Sequence, residues 1–243
     1  MKVYQNILNK NAKGKKQLSI LIDPDKSNIE DVKKIAALSN ECGIDNFFIG
    51  GSLITNDHLD QCIATMKKAS SVPVVIFPGN TMQINSKADA ILFLSLISGR
   101  NAEMLIGKHV IAAPYIRHAE LEAISTGYLL IESGKPTSVA YMSHSWPIPH
   151  DKDDIAVCTA MAGEMLGMKM IYMDAGSGAR EHIGLTMIEK VKKNISVPLI
   201  VGGGINTAQK AKNIYTAGAD MIVVGTAVEK NRSLIRHLAD ARW

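Results

Sequence analysis

Short, nearly continuous apolar runs alternate with helix-like segments along the whole chain. Eight such runs predict strands near Leu18–Ile22, Asn46–Ile49, Val74–Phe77, Ala90–Leu94, Tyr128–Ile131, Met170–Met173, Leu199–Val201 and Met221–Val224. They lack the apolar/polar alternation of a half-exposed strand, as expected when both faces of a parallel strand are buried. Helices are predicted between most of them, at Ile29–Glu41, Asp57–Ala69, Asp153–Leu166, Leu185–Lys193, Thr207–Ala217 and Arg232–Asp240. Alternating β and α over 243 residues, with no linker or composition shift, predicts one α/β domain over 1–243, closed as a (β/α)8 barrel.

Some segments break the rhythm. Asn80–Ser86 is too short and polar for a good helix, and Gly107–Arg117 and Gly134–His150 read as loop or extra-strand material. Ser71-Val-Pro-Val-Val-Ile76 followed by Ala88-Asp-Ala-Ile-Leu92 echoes Ser196-Val-Pro-Leu-Ile-Val201 followed by Ala219-Asp-Met-Ile-Val223, half a barrel later. The echo fits half-barrel symmetry. It also fits the plain preference of αβ junctions for Pro and Asp.

In such a barrel, chemistry sits where the strands end at their C-termini. The last two strands end in Gly202-Gly203-Gly204 and in Gly225-Thr226, each followed by a helix-like segment. Glycine bares backbone N–H groups and a helix start adds partial positive charge, so the pair predicts a phosphate cup. The first strand ends in Asp23-Pro24-Asp25-Lys26 and the second in Gly50-Gly51-Ser52. Asp23 and Asp25 are hard oxygen donors beside a hydroxyl, a set that suits magnesium. Asp-Pro-Asp equally reads as a turn and helix cap. The sixth strand ends in Asp174-Ala175-Gly176-Ser177-Gly178, a carboxylate ahead of donor-rich backbone. That carboxylate can orient or deprotonate a substrate hydroxyl, or simply cap a glycine-rich turn. Tyr172, two residues earlier, shares its face.

Composition narrows the classes. A hydrophobic fraction of 47 % supports a sizeable core, and a net charge of +4 with 5 % aromatics is too weak a basic signature for nucleic acid. Cys42, Cys62 and Cys158 are scattered, with no metal or disulfide spacing, which is simplest in a reducing cytoplasm. Met1–Lys16 lacks the apolar core of a signal peptide, and no apolar run reaches membrane-spanning length. Ser133-Gly-Lys-Pro-Thr137 is no P-loop, since the first glycine is missing. No nucleophile triad is visible.

With these motifs in order, the chain resembles the geranylgeranylglyceryl phosphate synthase family of prenyltransferases, in the branch holding archaeal enzymes and bacterial relatives. The motifs are Leu21–Lys26, Phe48–Ser52, Ile76–Asn80, Tyr172–Gly178, Val201–Ile205 and Val224–Thr226. The resemblance implies a modified TIM barrel that joins sn-glycerol 1-phosphate to a polyprenyl diphosphate through an ether bond, releasing diphosphate. Geranylgeranyl is the family's usual donor, and a longer chain is open. By motif position, Asp23 and Ser52 would bind magnesium. Tyr172, Met173, Asp174, Ala175, Gly176, Ser177, Gly178, Gly203, Gly204, Gly225 and Thr226 would bind sn-glycerol 1-phosphate, with Asp174 holding or deprotonating the attacking hydroxyl. Leu21 departs from some bacterial members, which carry Lys there. The resemblance further implies a homo-oligomer (dimer or hexamer) and at most peripheral membrane contact.

Two rival readings remain at this point. One is another phosphate-handling barrel, a sugar-phosphate isomerase or aldolase, although no strand end offers an obvious Schiff-base lysine. The other is a barrel that binds an isoprenoid phosphate without turning it over.

Overall fold

In β1 (Gln17–Ile22), Leu18, Ile20 and Ile22 face outward into a helix-covered core, while Ser19 and Leu21 turn inward. This two-faced burial repeats around the sheet and explains the unbroken apolar runs. In the computed structural model, which describes residues 2–56 and 58–242, the strands are β1, β2 (Asn46–Ile49), β3 (Val74–Ile76), β4 (Ala90–Leu96), β5 (Glu122–Leu130), β6 (Met170–Asp174), β7 (Leu199–Gly202) and β8 (Met221–Val224). All pair in parallel in sequence order, and β8 closes onto β1. The chain is an eight-stranded barrel, as its pattern predicts.

Helices α2 (Ile29–Cys42), α3 (Leu59–Ala69), α4 (Lys108–His118), α6 (Asp153–Met165), α7 (Leu185–Asn194), α8 (Ala208–Thr216) and α10 (Leu234–Asp240) surround the sheet. The shorter α5 (Ser138–Ser143) and α9 (Thr226–Lys230) lie in loops at the strand C-termini. The expected start of the third helix, Asp57, lies outside the described residues. No helix among the described residues is long and apolar enough to cross a membrane.

An N-terminal helix, α1 (Val3–Ala12), carries Val3 and Ile7 into the inner core. The Val3 N–H donates to Glu122 Oε2 at 2.6 Å, and Gln17 Nε2 donates to the Ile7 carbonyl at 3.2 Å. The helix therefore plugs the end at which the strands begin and leaves the other end open.

Three aspartates ahead of strands do one job. Asp45, Asp89 and Asp220 each accept an N–H from the start of an earlier strand, at Leu18, Val74 and Leu199, all at 2.8 Å. Each also holds a lysine at 2.6 Å: Lys10, Lys67 and Lys192. The echoed Asp89 and Asp220 are thus equivalent pins, and Asp45 is a third copy that the echo did not reveal.

Two expectations need correction. Gly107–Arg117 is not loop: a π-helical turn at Glu103–Gly107 runs straight into α4. Pro114 inside this helix, and apolar residues on its exposed as well as its buried side, hide the helical period. Gly134–His150 is only partly loop, because Thr137 caps α5 by accepting the Ala140 N–H. Ile148 makes a single parallel bridge to Ile131. Asn80–Ser86 holds just a 3-10 turn at Thr81–Gln83, in keeping with its composition.

Candidate active site

A cavity of about 600 Å3 opens at the C-terminal ends of the strands. Gly176, Ser177, Gly178, Gly203, Gly204, Gly225 and Thr226 line one side of it. Gly204 has φ +71°, and a Cβ there would meet the Glu181 carbonyl oxygen and the His182 nitrogen at 2.7 Å, so glycine is required. The hydroxyls of Ser177 and Thr226 lie 3.3 Å apart and tie the β6 and β8 loops together. The result is a cup lined by the backbone of these loops. The helix after β7 contributes less than expected: α8 starts only at Ala208, and Thr207 already accepts its Lys210 N–H at 3.2 Å.

Asp174 sits beside the cup. Its Oδ1 accepts the Gly176 N–H at 2.8 Å and its Oδ2 accepts the Tyr128 hydroxyl at 2.5 Å. Tyr128, Tyr172 and Phe77 form a ring cluster around it, with centroids 5.4 to 6.2 Å apart. Burial pushes the Asp174 carboxyl above its ordinary value, and the two hydrogen bonds only partly oppose this. Burial, with the Asp174 charge behind it, pushes both tyrosines well above theirs, so both remain neutral phenols.

Asp23 follows β1. Its Oδ2 holds the Lys26 ammonium at 2.6 Å, its Oδ1 accepts the Asp25 N–H at 3.1 Å, and its own N–H donates to Glu229 Oε1 at 3.4 Å. Burial pushes the Glu229 carboxyl up, with the Lys26 charge pulling the other way. Burial alone would lower the Lys26 ammonium, but the hydrogen bond and charge of Asp23 carry it above its usual value.

Asp25 is spoken for elsewhere. It accepts from the Thr55 N–H at 2.6 Å, the Thr55 hydroxyl at 2.8 Å and the Asn56 N–H at 3.2 Å. The carboxylate thereby anchors the loop that carries Ser52. Behind that loop, Gln83 accepts the Gly79 N–H at 3.0 Å and donates to the Gly51 carbonyl at 3.2 Å. Gly79 lies so near that a Cβ would stand 2.2 Å from the Gly51 oxygen.

The opposite side of the cavity is an apolar groove. Leu94 and Leu96 of β4, Met104 of the π-helical turn, Ala112 and Ile116 of α4, and Val139 of α5 line it. His109 stands edge-on to Phe93 with centroids 4.5 Å apart, and its Nε2 lies 3.2 Å from the Ser95 hydroxyl. Burial lowers the His109 pKa and favours a neutral ring.

The model of the PcrB family matches residues 11–242. The chain belongs to the PcrB family. It is 54 % identical over 240 residues to a geranylgeranylglyceryl phosphate synthase of Chitinophaga pinensis, covering 99 % of this chain and 95 % of that protein. It is 50 % identical over 226 residues to the Spirosoma linguale protein of the same name, covering 93 % and 91 %. Among solved structures it superposes on (S)-3-O-geranylgeranylglyceryl phosphate synthase from Thermoplasma acidophilum in complex with sn-glycerol-1-phosphate. That match has a TM-score of 0.94 and 33 % identity over 99 % of this chain and 98 % of the other. The family that the motifs resemble is the family found.

In this PcrB-family barrel, Asp23, Ser52, Tyr172, Asp174 and every expected cup residue from Gly176 to Thr226 line one cavity. Met173 and Ala175 do not, since both bury their side chains in the outer core. Only their backbone is near the cup, and there the Ala175 N–H donates to the Gly202 carbonyl at 3.0 Å. Magnesium fits the residues around Asp23. They offer a carboxylate and a hydroxyl lining the same cavity, and a Cβ added at Gly51, next to Ser52, would stand 3.5 Å from Asp23 Oδ2. Among the described residues no group of three or more His, Cys, Asp or Glu side chains could cage a metal. Water and substrate oxygens would complete the shell, which is magnesium's usual habit.

Sequence reasoning missed Tyr128, Glu229 and the α4 wall of the groove. Tyr128 shares the inward face of its strand with Leu130, but nothing local marks it as the partner of Asp174. The α4 residues went unseen with the helix that carries them.

Proposed function

We propose that this chain is a magnesium-dependent prenyltransferase. It joins sn-glycerol 1-phosphate to a polyprenyl diphosphate through an ether bond and releases diphosphate. One observation carries the reading: the backbone cup, the buried carboxylate of Asp174 and an apolar groove are parts of one cavity. A sugar-phosphate isomerase has no use for such a groove, and a mere binder has no use for a buried carboxylate held beside the cup.

The amides of Ser177–Gly178, Gly203–Gly204 and Gly225–Thr226 would hold the glycerol phosphate, while the Gly176 N–H stays on Asp174. That brings its free hydroxyl toward Asp174, whose raised pKa suits it to take a proton. Asp23 and Ser52 would hold the magnesium. Once bound, magnesium offsets the charge of the leaving diphosphate. As the allylic C1–O bond breaks, the hydroxyl oxygen forms the new C–O bond and its proton passes to Asp174. Phe77, Tyr128 and Tyr172 line the same cavity, and their rings would stabilise the positive charge developing on the prenyl group. The tail would lie in the groove between β4 and α4, with geranylgeranyl the expected length. Fixing both reactants in one cavity removes much of the entropy cost of their encounter.

The test is transfer of label. Radiolabelled sn-glycerol 1-phosphate and magnesium are incubated with the protein and, in parallel, farnesyl, geranylgeranyl or a longer prenyl diphosphate, and extractable label is counted. Label in the organic phase is the expected result. No transfer with any donor length, from protein that still binds glycerol phosphate, would leave a binding protein in its place.

A further inference from the structure

Asp23 is already occupied from within the chain. Lys26 reaches back one turn to Asp23 Oδ2 at 2.6 Å, while the Asp25 N–H holds Oδ1. The two groups differ in freedom. The Asp23 side chain is 16 % exposed at a strand end, whereas that of Lys26 is 55 % exposed on a flexible stem. Glu229 adds a second carboxylate against the Asp23 backbone, and its charge also favours the Lys26 ammonium there. Lys26, Lys108 and Lys230 are the lysines that line the cavity. A lysine ammonium is a mobile point charge that serves carboxylate and phosphate equally well.

We propose that Lys26 is the resident counter-ion of Asp23 and exchanges partners when the donor binds. A divalent cation takes its place on Asp23, and the freed ammonium turns to the diphosphate oxygens. This rests on the prenyltransferase reading above. In consequence, metal alone competes with Lys26, whereas metal arriving with diphosphate gives Lys26 a new partner. Metal and diphosphate then strengthen each other's binding, and the coupling is reciprocal.

The test uses Mn2+ followed by electron paramagnetic resonance, and inorganic pyrophosphate followed by calorimetry, on the full chain. Lys26→Met is expected to bind Mn2+ alone about fivefold more tightly than wild type, the scale of a half-exposed ion pair. It is expected to bind pyrophosphate in saturating Mg2+ about tenfold more weakly, the scale of a lost charged hydrogen bond. Lys26→Arg, which keeps the charge, is expected to stay near wild type in both. Unchanged or weaker Mn2+ binding by a folded Lys26→Met protein overturns the exchange alone. If wild type binds no Mn2+ even with pyrophosphate, the metal assignment falls and takes the exchange with it.

Discussion

Tyr128 donates its hydroxyl to Asp174 from the neighbouring strand, at 2.5 Å. In the β5–β6 register Tyr128 faces Tyr172 and Leu130 faces Asp174, so the phenol reaches diagonally toward the open end of the barrel. The bond favours the charged form of a carboxylate that burial drives the other way. Tyr128 therefore helps Asp174 stay ionised against its burial.

Removing that donor should be visible in pH. Tyr128→Phe leaves burial in place and deletes an opposing contribution, so the Asp174 pKa rises further. The acid limb of the pH–rate profile should shift to higher pH in Tyr128→Phe, with the KM for glycerol phosphate little changed. An unmoved acid limb would separate Tyr128 from the chemistry.

Asp174→Asn should separate catalysis from stability. Turnover is expected to fall roughly 10^2- to 10^4-fold, the range for loss of a general base, while phosphate binding persists. Stability should move the opposite way. A carboxyl with a raised folded-state pKa contributes stability below its ordinary value of 3.8 and loses it as pH rises through the folded value. At neutral pH the buried charge is thus a cost, and the amide avoids it. Asp174→Asn should melt above wild type at neutral pH, and the gap should close in acid. Thermal melts at several pH values check both halves.

Asp25→Ala should loosen the loop that presents Ser52. Three hydrogen bonds to Thr55 and Asn56 disappear together. The magnesium concentration for half-maximal transfer should rise several-fold, while turnover at saturating magnesium is largely kept. An unchanged magnesium dependence would remove the loop from the metal site.

The groove predicts donor length. Ala112 is a small residue on its α4 wall, beside Ile116 and across from β4. Ala112→Phe fills that space, so the longest accepted donor should shorten while the shortest still reacts. Product chromatography over a donor series reads this directly, and an unaltered length profile would put the tail elsewhere.

The barrel and the cup were legible because their signals are local. Parallel strands buried on both faces must be apolar runs, and a backbone cradle must be glycine. Helix α4 was hidden by Pro114 and by apolar residues such as Val110, Ile111 and Tyr115 on its exposed side. Helix α1 was hidden by its polarity, since only Val3 and Ile7 of its ten residues are buried. The Tyr128–Asp174 bond joins residues 46 positions apart, and no sequence pattern carries it. Residue type made Asp25 a metal candidate beside Asp23, and its hydrogen bonds to the loop at Thr55 join residues 30 positions apart that no local pattern links.

The most direct measurement is a crystal structure with sn-glycerol 1-phosphate, magnesium and a non-hydrolysable prenyl diphosphate analogue. The account predicts phosphate on the Ser177–Gly178, Gly203–Gly204 and Gly225–Thr226 amides, the glycerol hydroxyl within hydrogen-bond reach of Asp174, and the tail between β4 and α4. Phosphate bound outside that cup, or a hydroxyl turned away from Asp174, would contradict it.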